Sequence, residues 1–89
     1  MGIVTNLFKK EKEMPEGTVI IYTSFGWGPC KVTKIWLRNN GISYEEKSIS
    51  KEENRQALFD LGYKTTPVIV GEEGTVVGYS PAKLSEAFL

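Results

Sequence analysis

The sequence contains no histidine and only one cysteine, Cys30, among its 89 residues. A single cysteine cannot form a disulfide within the chain. An ordinary zinc site is not expected where histidine is absent and cysteine occurs once. We therefore expect the protein to function without a bound metal or other cofactor.

The sequence also lacks an excess of either charge. Eleven basic residues balance eleven acidic ones, and the longest basic run is only Lys9-Lys10. Neither nucleic acid nor a membrane surface is therefore an expected partner. No apolar run is long enough to cross a membrane, and residues 1–4 do not open a secretory signal, so we expect a cytoplasmic protein.

A chain of this length is expected to form one folded domain. Residues 1–17 are predicted to be an N-terminal extension, and residues 18–89 the domain itself. Apolar residues of the extension recur at helical spacing and predict a short amphipathic helix. These residues are Ile3, Val4, Leu7 and Phe8. The helix is either a loosely docked terminus or a partner-binding segment.

The first half of the domain predicts a strand, a helix and a second strand. Residues 18–23 carry the β-branched and aromatic run of a buried strand. After a glycine-rich break, Pro29 is well suited to open a helix over residues 29–40, which Asn39-Asn40-Gly41 would end. Its apolar stripe is predicted to be Val32, Ile35 and Trp36. Residues 42–49 predict the second strand, parallel to the first through a right-handed crossover.

The next segment predicts another helix, opened by a capping box between Ser50 and Glu53 and ended by Gly62. Its buried face is predicted to be Ala57, Leu58 and Leu61. Residues 68–70 and 75–77 then read as the two strands of an antiparallel hairpin, because only a tight turn separates them.

The chain ends with a short helix for which Ser80-Pro81 supplies a good start. Its inward side chains are predicted to be Leu84, Ala87 and Phe88. The element order is therefore β-α-β-α-β-β-α. The adjacent glutamates of the chain, at 45–46, 52–53 and 72–73, are interpreted as solvated charges.

Cys30 falls in the first turn of the predicted helix over residues 29–40. The positive end of the helix dipole and the free backbone N–H groups there favour a thiolate, whereas burial would favour the neutral thiol. A lone cysteine is often a small core residue. Cys30 is therefore either a reactive thiol or an inert part of the core.

Gly28-Pro29-Cys30-Lys31 resembles the second half of the Cys-x-x-Cys site of the thioredoxin and glutaredoxin superfamily. Thr66-Pro67 is similar to the proline turn that opens the third strand in that superfamily, and Gly78-Tyr79-Ser80-Pro81 is most similar to a segment of the small glutaredoxin-like redoxins. The resemblance covers residues 18–89. It implies an α/β thioredoxin-like fold with a four-stranded mixed sheet flanked by helices.

The sequence departs from the superfamily pattern at Trp27, which stands where the resemblance places the first, attacking cysteine. Only the resolving position, Cys30, keeps a sulfur. The resemblance implies that this position lies largely under the turn before the helix, shielded from substrate. Trp27 is either an exposed loop aromatic or a residue that plugs the substrate groove or contacts a partner. Phe25 and Tyr79 are expected to lie nearby, in an aromatic patch around the proline turn.

The resemblance implies that the Thr66-Pro67 bond is cis and that the backbone of this turn pairs with an extended thiol peptide. It also implies a substrate-binding role for Gly78 and Tyr79. The acidic pair of glutathione-binding members is absent, and Ser24 stands where a lysine often occurs. We therefore expect weak or no glutathione binding.

Two functions are compatible with these residues. One is a glutaredoxin-like thiol–disulfide redox protein, a disulfide oxidoreductase if active, with an incomplete site. Its partners would be a protein disulfide substrate or a thiol reductant. The alternative is a redox-inactive thioredoxin-fold module that binds a peptide or protein. In both cases we expect a monomer.

Overall fold

A computed structural model of the protein describes residues 16–89, so the predicted amphipathic helix of the extension lies outside the described residues. The elements are β1 (Val19–Thr23), α1 (Gly28–Asn39), β2 (Tyr44–Ser48), α2 (Glu52–Asp60), β3 (Val68–Gly71), β4 (Gly74–Val77) and α3 (Pro81–Phe88). The predicted element order is confirmed. Within residues 16–89, no helix has both the length and the apolar character needed to cross a membrane.

The four strands form one mixed sheet in the order β2-β1-β3-β4. β1 and β2 are parallel, with Ile21 opposite Glu46, because the helix between them carries the chain back across the sheet. β3 is antiparallel to both β1 and β4, and the pairing of Gly71 with Gly74 leaves a two-residue turn. The predicted mixed sheet and hairpin are therefore confirmed.

The sheet is covered on both faces, since successive side chains of a strand point to opposite sides. On one face, Ile21 packs in a cluster that includes Leu37 of α1 and Leu84 of α3. On the other face, Tyr22 packs with Leu58 of α2. Helices α1 and α3 thus share one side of the sheet, and α2 lies on the other.

The buried face of α1 differs from the predicted apolar stripe. The residues that it buries are Cys30, Thr33 and Leu37. Of the predicted stripe, Trp36 packs against the core, but Val32 and Ile35 are 40% and 39% exposed. Thr33 tolerates burial because its hydroxyl donates to the Pro29 carbonyl at 2.7 Å. A threonine paired in this way takes a core position that residue type alone assigns to an aliphatic side chain.

The predicted capping box at the start of α2 is wrong. Lys51, not Ser50, is the N-cap, and no side chain caps the helix. The Ser50 hydroxyl instead lies 2.8 Å from that of Ser48, in the turn after β2. The predicted buried face is correct for Leu58, which is 0% exposed, but wrong for Leu61, which follows the helix at its C-cap and is 49% exposed.

Glycines end both α1 and α2, as predicted. Gly41 and Gly62 have φ of +72° and +96°, the left-handed region that glycine adopts without a Cβ clash. After Gly41, the Ile42 N–H donates to the Leu37 carbonyl at 2.9 Å, and the equivalent bond follows Gly62. These bonds satisfy carbonyls that the end of a helix would otherwise leave free.

The start of α3 is also as predicted. The Ser80 hydroxyl accepts a main-chain N–H at 3.3 Å, and Pro81 is the first helical residue. Leu84 is fully buried, and Ala87 and Phe88 pack against the core. Local capping and core burial therefore agree at this helix.

Candidate functional site

The chain turns sharply between the end of β1 and the start of α1, a segment that we call the elbow (residues 24–29). Gly26 adopts φ +76°, and the Trp27 N–H donates to the Ser24 carbonyl at 3.2 Å. Trp27 is the N-cap of α1, and Pro29 lies in the first turn. Because the first turn of a helix has no acceptor for its N–H groups, proline loses no hydrogen bond there.

Cys30 lies under the elbow, in the first turn of α1. The residue is 2% exposed, and the Ser24 main-chain N–H points at its Sγ from 3.5 Å. Its own N–H donates to the Trp27 carbonyl at 3.0 Å. The sulfur therefore lies at the helix start, as predicted, and it is buried beneath the elbow, as the resemblance implied.

The Thr66–Pro67 peptide bond is cis, as the resemblance implied, and Pro67 is fully buried. The hydroxyl oxygens of Thr66 and Ser24 are 2.7 Å apart and hydrogen bonded. On the other side, the Gly78 N–H donates to the Pro67 carbonyl at 2.8 Å. Hydrogen bonds thus join the elbow, the proline turn and the turn after β4.

The Trp27 side chain also connects the elbow to the proline turn. Its Nε1–H donates to the Thr66 carbonyl at 3.2 Å, and the residue is 52% exposed. This carbonyl is one of the backbone groups that the resemblance assigns to an incoming extended peptide. Trp27 therefore occupies part of the predicted substrate groove.

Open cavities lie on both sides of the Trp27 ring. One of about 540 Å³ lies between α1 and the turn after β4, with Val32 and Tyr79 in its lining. Another of about 400 Å³ lies on the other side, lined in part by Phe25. Thr66 lines both cavities. The ring and the Thr66 carbonyl thus stand at the boundary between the two.

The aromatic residues predicted to form a patch are arranged around this boundary. Phe25 is 97% exposed and Tyr79 is 41% exposed, and each lines a different one of the two cavities. Gly78, directly before Tyr79, has φ +82°, which allows the chain to turn there. The three aromatic residues therefore line cavities next to the proline turn, and Trp27 lines both of them.

A third cavity, of about 370 Å³, is lined by Cys30 together with charged residues of α1 and β2. Among them, Glu46 accepts a hydrogen bond from the Thr23 hydroxyl at 2.7 Å and pairs with Lys34 Nζ at 3.1 Å. Burial by itself raises the pKa of Glu46. The hydrogen bonds from Thr23 and Lys34 and the charge of Lys34 outweigh that effect, so the pKa lies below its ordinary value.

Glu46 is the site residue that the sequence interpretation missed. The interpretation as a solvated charge is correct, since the Glu46 side chain is 38% exposed, but this carboxylate also joins β1, β2 and α1. Two features together could have identified Glu46. One is the position of Lys34, one helical turn after Cys30, and the other is the parallel register of β1 and β2. The register itself was not predictable, because the second strand alternates poorly.

Residues 19–74 of the chain match the sequence model of a family described as glutaredoxin. Among characterised proteins, the chain is similar to the glutaredoxin-like protein NrdH of Lactococcus lactis, with 26% identity over 69 residues. That alignment covers 76% of this chain and 96% of the relative.

Solved structures show the same fold. A thioredoxin-like protein named BC3987 is 30% identical, with a TM-score of 0.67 and coverage of 78% of this chain and 97% of the other. The NrdH-redoxin of Escherichia coli superimposes with a TM-score of 0.71 at 24% identity, covering 78% and 92% of the two chains. The predicted thioredoxin-like fold is therefore confirmed.

Proposed function

Because this chain belongs to the glutaredoxin family, we propose that it is a glutaredoxin-like thiol–disulfide redox protein with an incomplete active site. Cys30 alone carries the sulfur chemistry, and Trp27 stands at the position of the missing cysteine. Thr66 and Pro67 contact the substrate from one side, and the turn of Gly78 and Tyr79 contacts it from the other.

The observation that carries this function is the position of Cys30. Its sulfur lies in the first turn of α1 and accepts the Ser24 N–H. The same Ser24 is hydrogen bonded through its hydroxyl to Thr66, the residue before the cis proline. One residue therefore connects the thiol to the turn that would hold an extended substrate.

The chemistry open to one thiol is half of a dithiol cycle. The Cys30 thiolate attacks one sulfur of a substrate disulfide; a mixed disulfide forms, and the other sulfur leaves as a thiolate with the bonding electron pair. An external thiol then attacks the mixed disulfide, which restores the Cys30 thiol and leaves a new disulfide that contains the reductant. The partners are thus a protein disulfide and a thiol reductant, in a reducing compartment such as the cytoplasm.

Two features favour a second function, a redox-inactive module that binds a peptide. Cys30 is only 2% exposed, so part of the elbow must move before its thiolate can reach a substrate disulfide. In addition, Trp27 places a large aromatic surface in the groove where a substrate sulfur would otherwise react. Aromatic side chains that are half exposed in this way are common in binding sites.

The two functions differ in their dependence on Cys30. We would measure the reduction of a fluorescently labelled protein disulfide by a small monothiol, with the wild type and the Cys30→Ser variant. The redox function predicts slow catalysis that the substitution abolishes. Equal rates for the wild type, Cys30→Ser and a sample without protein would contradict it and favour the binding module.

The Trp27→Cys variant tests whether the scaffold lacks only one sulfur. Because release of the mixed disulfide becomes intramolecular, we expect its rate to exceed that of the wild type by about a hundredfold or more. Trp27→Ser is the matched control, since it removes the same ring without adding a thiol. A Trp27→Cys rate no higher than that of Trp27→Ser would contradict the proposed active site.

A further inference from the structure

We propose that Trp27 is an autoinhibitory residue: its indole N–H occupies the Thr66 carbonyl that an incoming extended chain needs, and the groove opens when the ring swings away. This inference rests on the proposed function, because it assumes that the proline turn is where a substrate or peptide binds. It adds a closed state and identifies the contact that maintains it.

The contact joins two residues that the chain otherwise keeps 39 positions apart, and it is made by a side chain on the surface. The Nε1–H to carbonyl distance is 3.2 Å, and Trp27 is 52% exposed. A neutral hydrogen bond in such a position is worth only about a fivefold change in an equilibrium constant, because water competes for both partners. The closed state is therefore easily reversed.

Hydrogen bonds with the first turn of α1 hold the main chain of Trp27 in place, but they do not hold its side chain. Its carbonyl accepts the N–H groups of Cys30 and Lys31, at 3.0 and 3.3 Å, as the N-cap of α1. The side chain takes no part in capping the helix. Opening therefore needs rotation of side-chain torsions alone, without unwinding α1, and such rotations are fast for exposed residues.

Opening would also change the shape of the groove. Trp27 and Thr66 are lining residues of both the 540 Å³ cavity beside Tyr79 and the 400 Å³ cavity beside Phe25. If the ring leaves this boundary, the two cavities become one continuous trough across the Thr66 carbonyl. A ligand that opens the groove must replace the lost donor, and the backbone N–H of an extended chain does so.

The test compares Trp27→Phe, which keeps an aromatic ring but removes the N–H donor, with the wild type. The probe is acetyl-Val-(S-methyl-Cys)-Val-amide, an extended peptide without redox chemistry, titrated by amide chemical shifts. Since a neutral hydrogen bond is worth about a fivefold change in an equilibrium constant, we expect Trp27→Phe to bind the probe about fivefold more tightly.

Phe59→Leu is the matched control, because Phe59 is also an exposed aromatic residue but lies on α2 and lines neither of the two cavities. We expect it to bind the probe as the wild type does. Saturation with the probe should also speed hydrogen exchange of the Trp27 indole N–H. The Trp36→Phe variant assigns this resonance, because it removes the other indole of the chain.

The outcomes separate this inference from the proposed function. If the probe binds the wild type and Trp27→Phe equally, or binds the variant more weakly, Trp27 is a binding contact and not an inhibitor. This outcome would support the proposed groove but contradict the inferred autoinhibition. If neither these proteins nor Trp27→Ala binds the probe, the proposed groove itself is refuted, together with the inference.

Discussion

The two helices that share one face of the sheet, α1 and α3, begin in different ways. Each has a proline in its first turn, Pro29 in α1 and Pro81 in α3. At α3, the N-cap Ser80 accepts a main-chain N–H through its hydroxyl. At α1, the N-cap Trp27 provides no such acceptor, and its side chain bonds to the proline turn instead.

The difference shows which helix start serves the fold and which serves the site. An N-cap serine contributes about 0.5–2 kcal/mol relative to alanine, and α1 forgoes this contribution. The start of α1 instead places the indole N–H of Trp27 against Thr66. It also places the thiol of Cys30, the single cysteine of the chain, beneath the elbow. A residue that departs from the usual N-cap preference at a site of this kind is a sign of function.

The largest expected effect is on the free energy of unfolding and concerns the core that α1 and α3 share. Leu37 of α1 and Leu84 of α3 are both 0% exposed. We expect Leu37→Ala and Leu84→Ala each to lower the free energy of unfolding by about 2–5 kcal/mol, measured by urea denaturation, because each leaves a cavity in the shared core. Val32→Ala is the control on α1 and should cost much less, since Val32 is exposed. A small loss for either leucine would show that the two helices are not equally anchored.

The next prediction concerns the cap of α3. We expect Ser80→Ala to lower the free energy of unfolding by about 1 kcal/mol, because the Lys83 N–H loses its acceptor. Probe binding at the proline turn should remain unchanged. A variant that also alters the groove would contradict the assignment of this helix start to the fold.

The third prediction converts one helix start into the other. The backbone of Trp27, with φ −89° and ψ 118°, already has the extended conformation that an N-cap residue requires. We therefore expect Trp27→Ser to be more stable than Trp27→Ala by about 0.5–2 kcal/mol. Thermal and urea denaturation of the two variants measure this difference. Equal stability would mean that α1 cannot accept a side-chain cap.

The smallest effect is pH-dependent and concerns the contact of α1, but not of α3, with Glu46 of β2. Since the pKa of Glu46 is lowered in the folded state, its stabilising contribution is present above its ordinary pKa and is lost as the pH falls through the folded value. We expect Glu46→Gln to destabilise the protein near neutral pH by less than about 1 kcal/mol, because the pair is partly exposed.

The difference in stability between Glu46→Gln and the wild type should disappear in acid. Thermal denaturation over a range of pH measures this difference. Glu45→Gln is the matched control. Glu45 is adjacent in β2, and its ion pair with Lys47 is longer, at 3.8 Å. A pH dependence that is the same for both variants would show that the bonds of Glu46 to Thr23 and Lys34 carry no special weight.

Much of the fold could be predicted because it depends on neighbours in the sequence. Gly41 and Gly62 end helices wherever these helices pack, since their left-handed backbone is a local property. The parallel pair and the hairpin follow from the lengths of the connections. The predicted capping box was wrong for the opposite reason, because the Ser50 hydroxyl is hydrogen bonded to that of Ser48 at the end of β2.

The buried face of α1 could not be predicted from the sequence alone. Residue type favours Val32 and Ile35 as inward residues, yet the helix turns Thr33 and Leu37 to the core. The rotation of a helix about its axis is decided by how it docks on the sheet. Thr33 can then be buried because its hydroxyl is satisfied within the helix.

The sequence by itself determined the order of the elements, the ends of two helices and the placement of Cys30 at the start of α1. These depend on spacing, backbone preference and connection length, which act over a few residues. Only the tertiary structure decided that Glu46 joins three elements and that Trp27 bonds to the Thr66 carbonyl. Each of these depends on residues far apart in the chain, which meet only once the sheet and helices have packed.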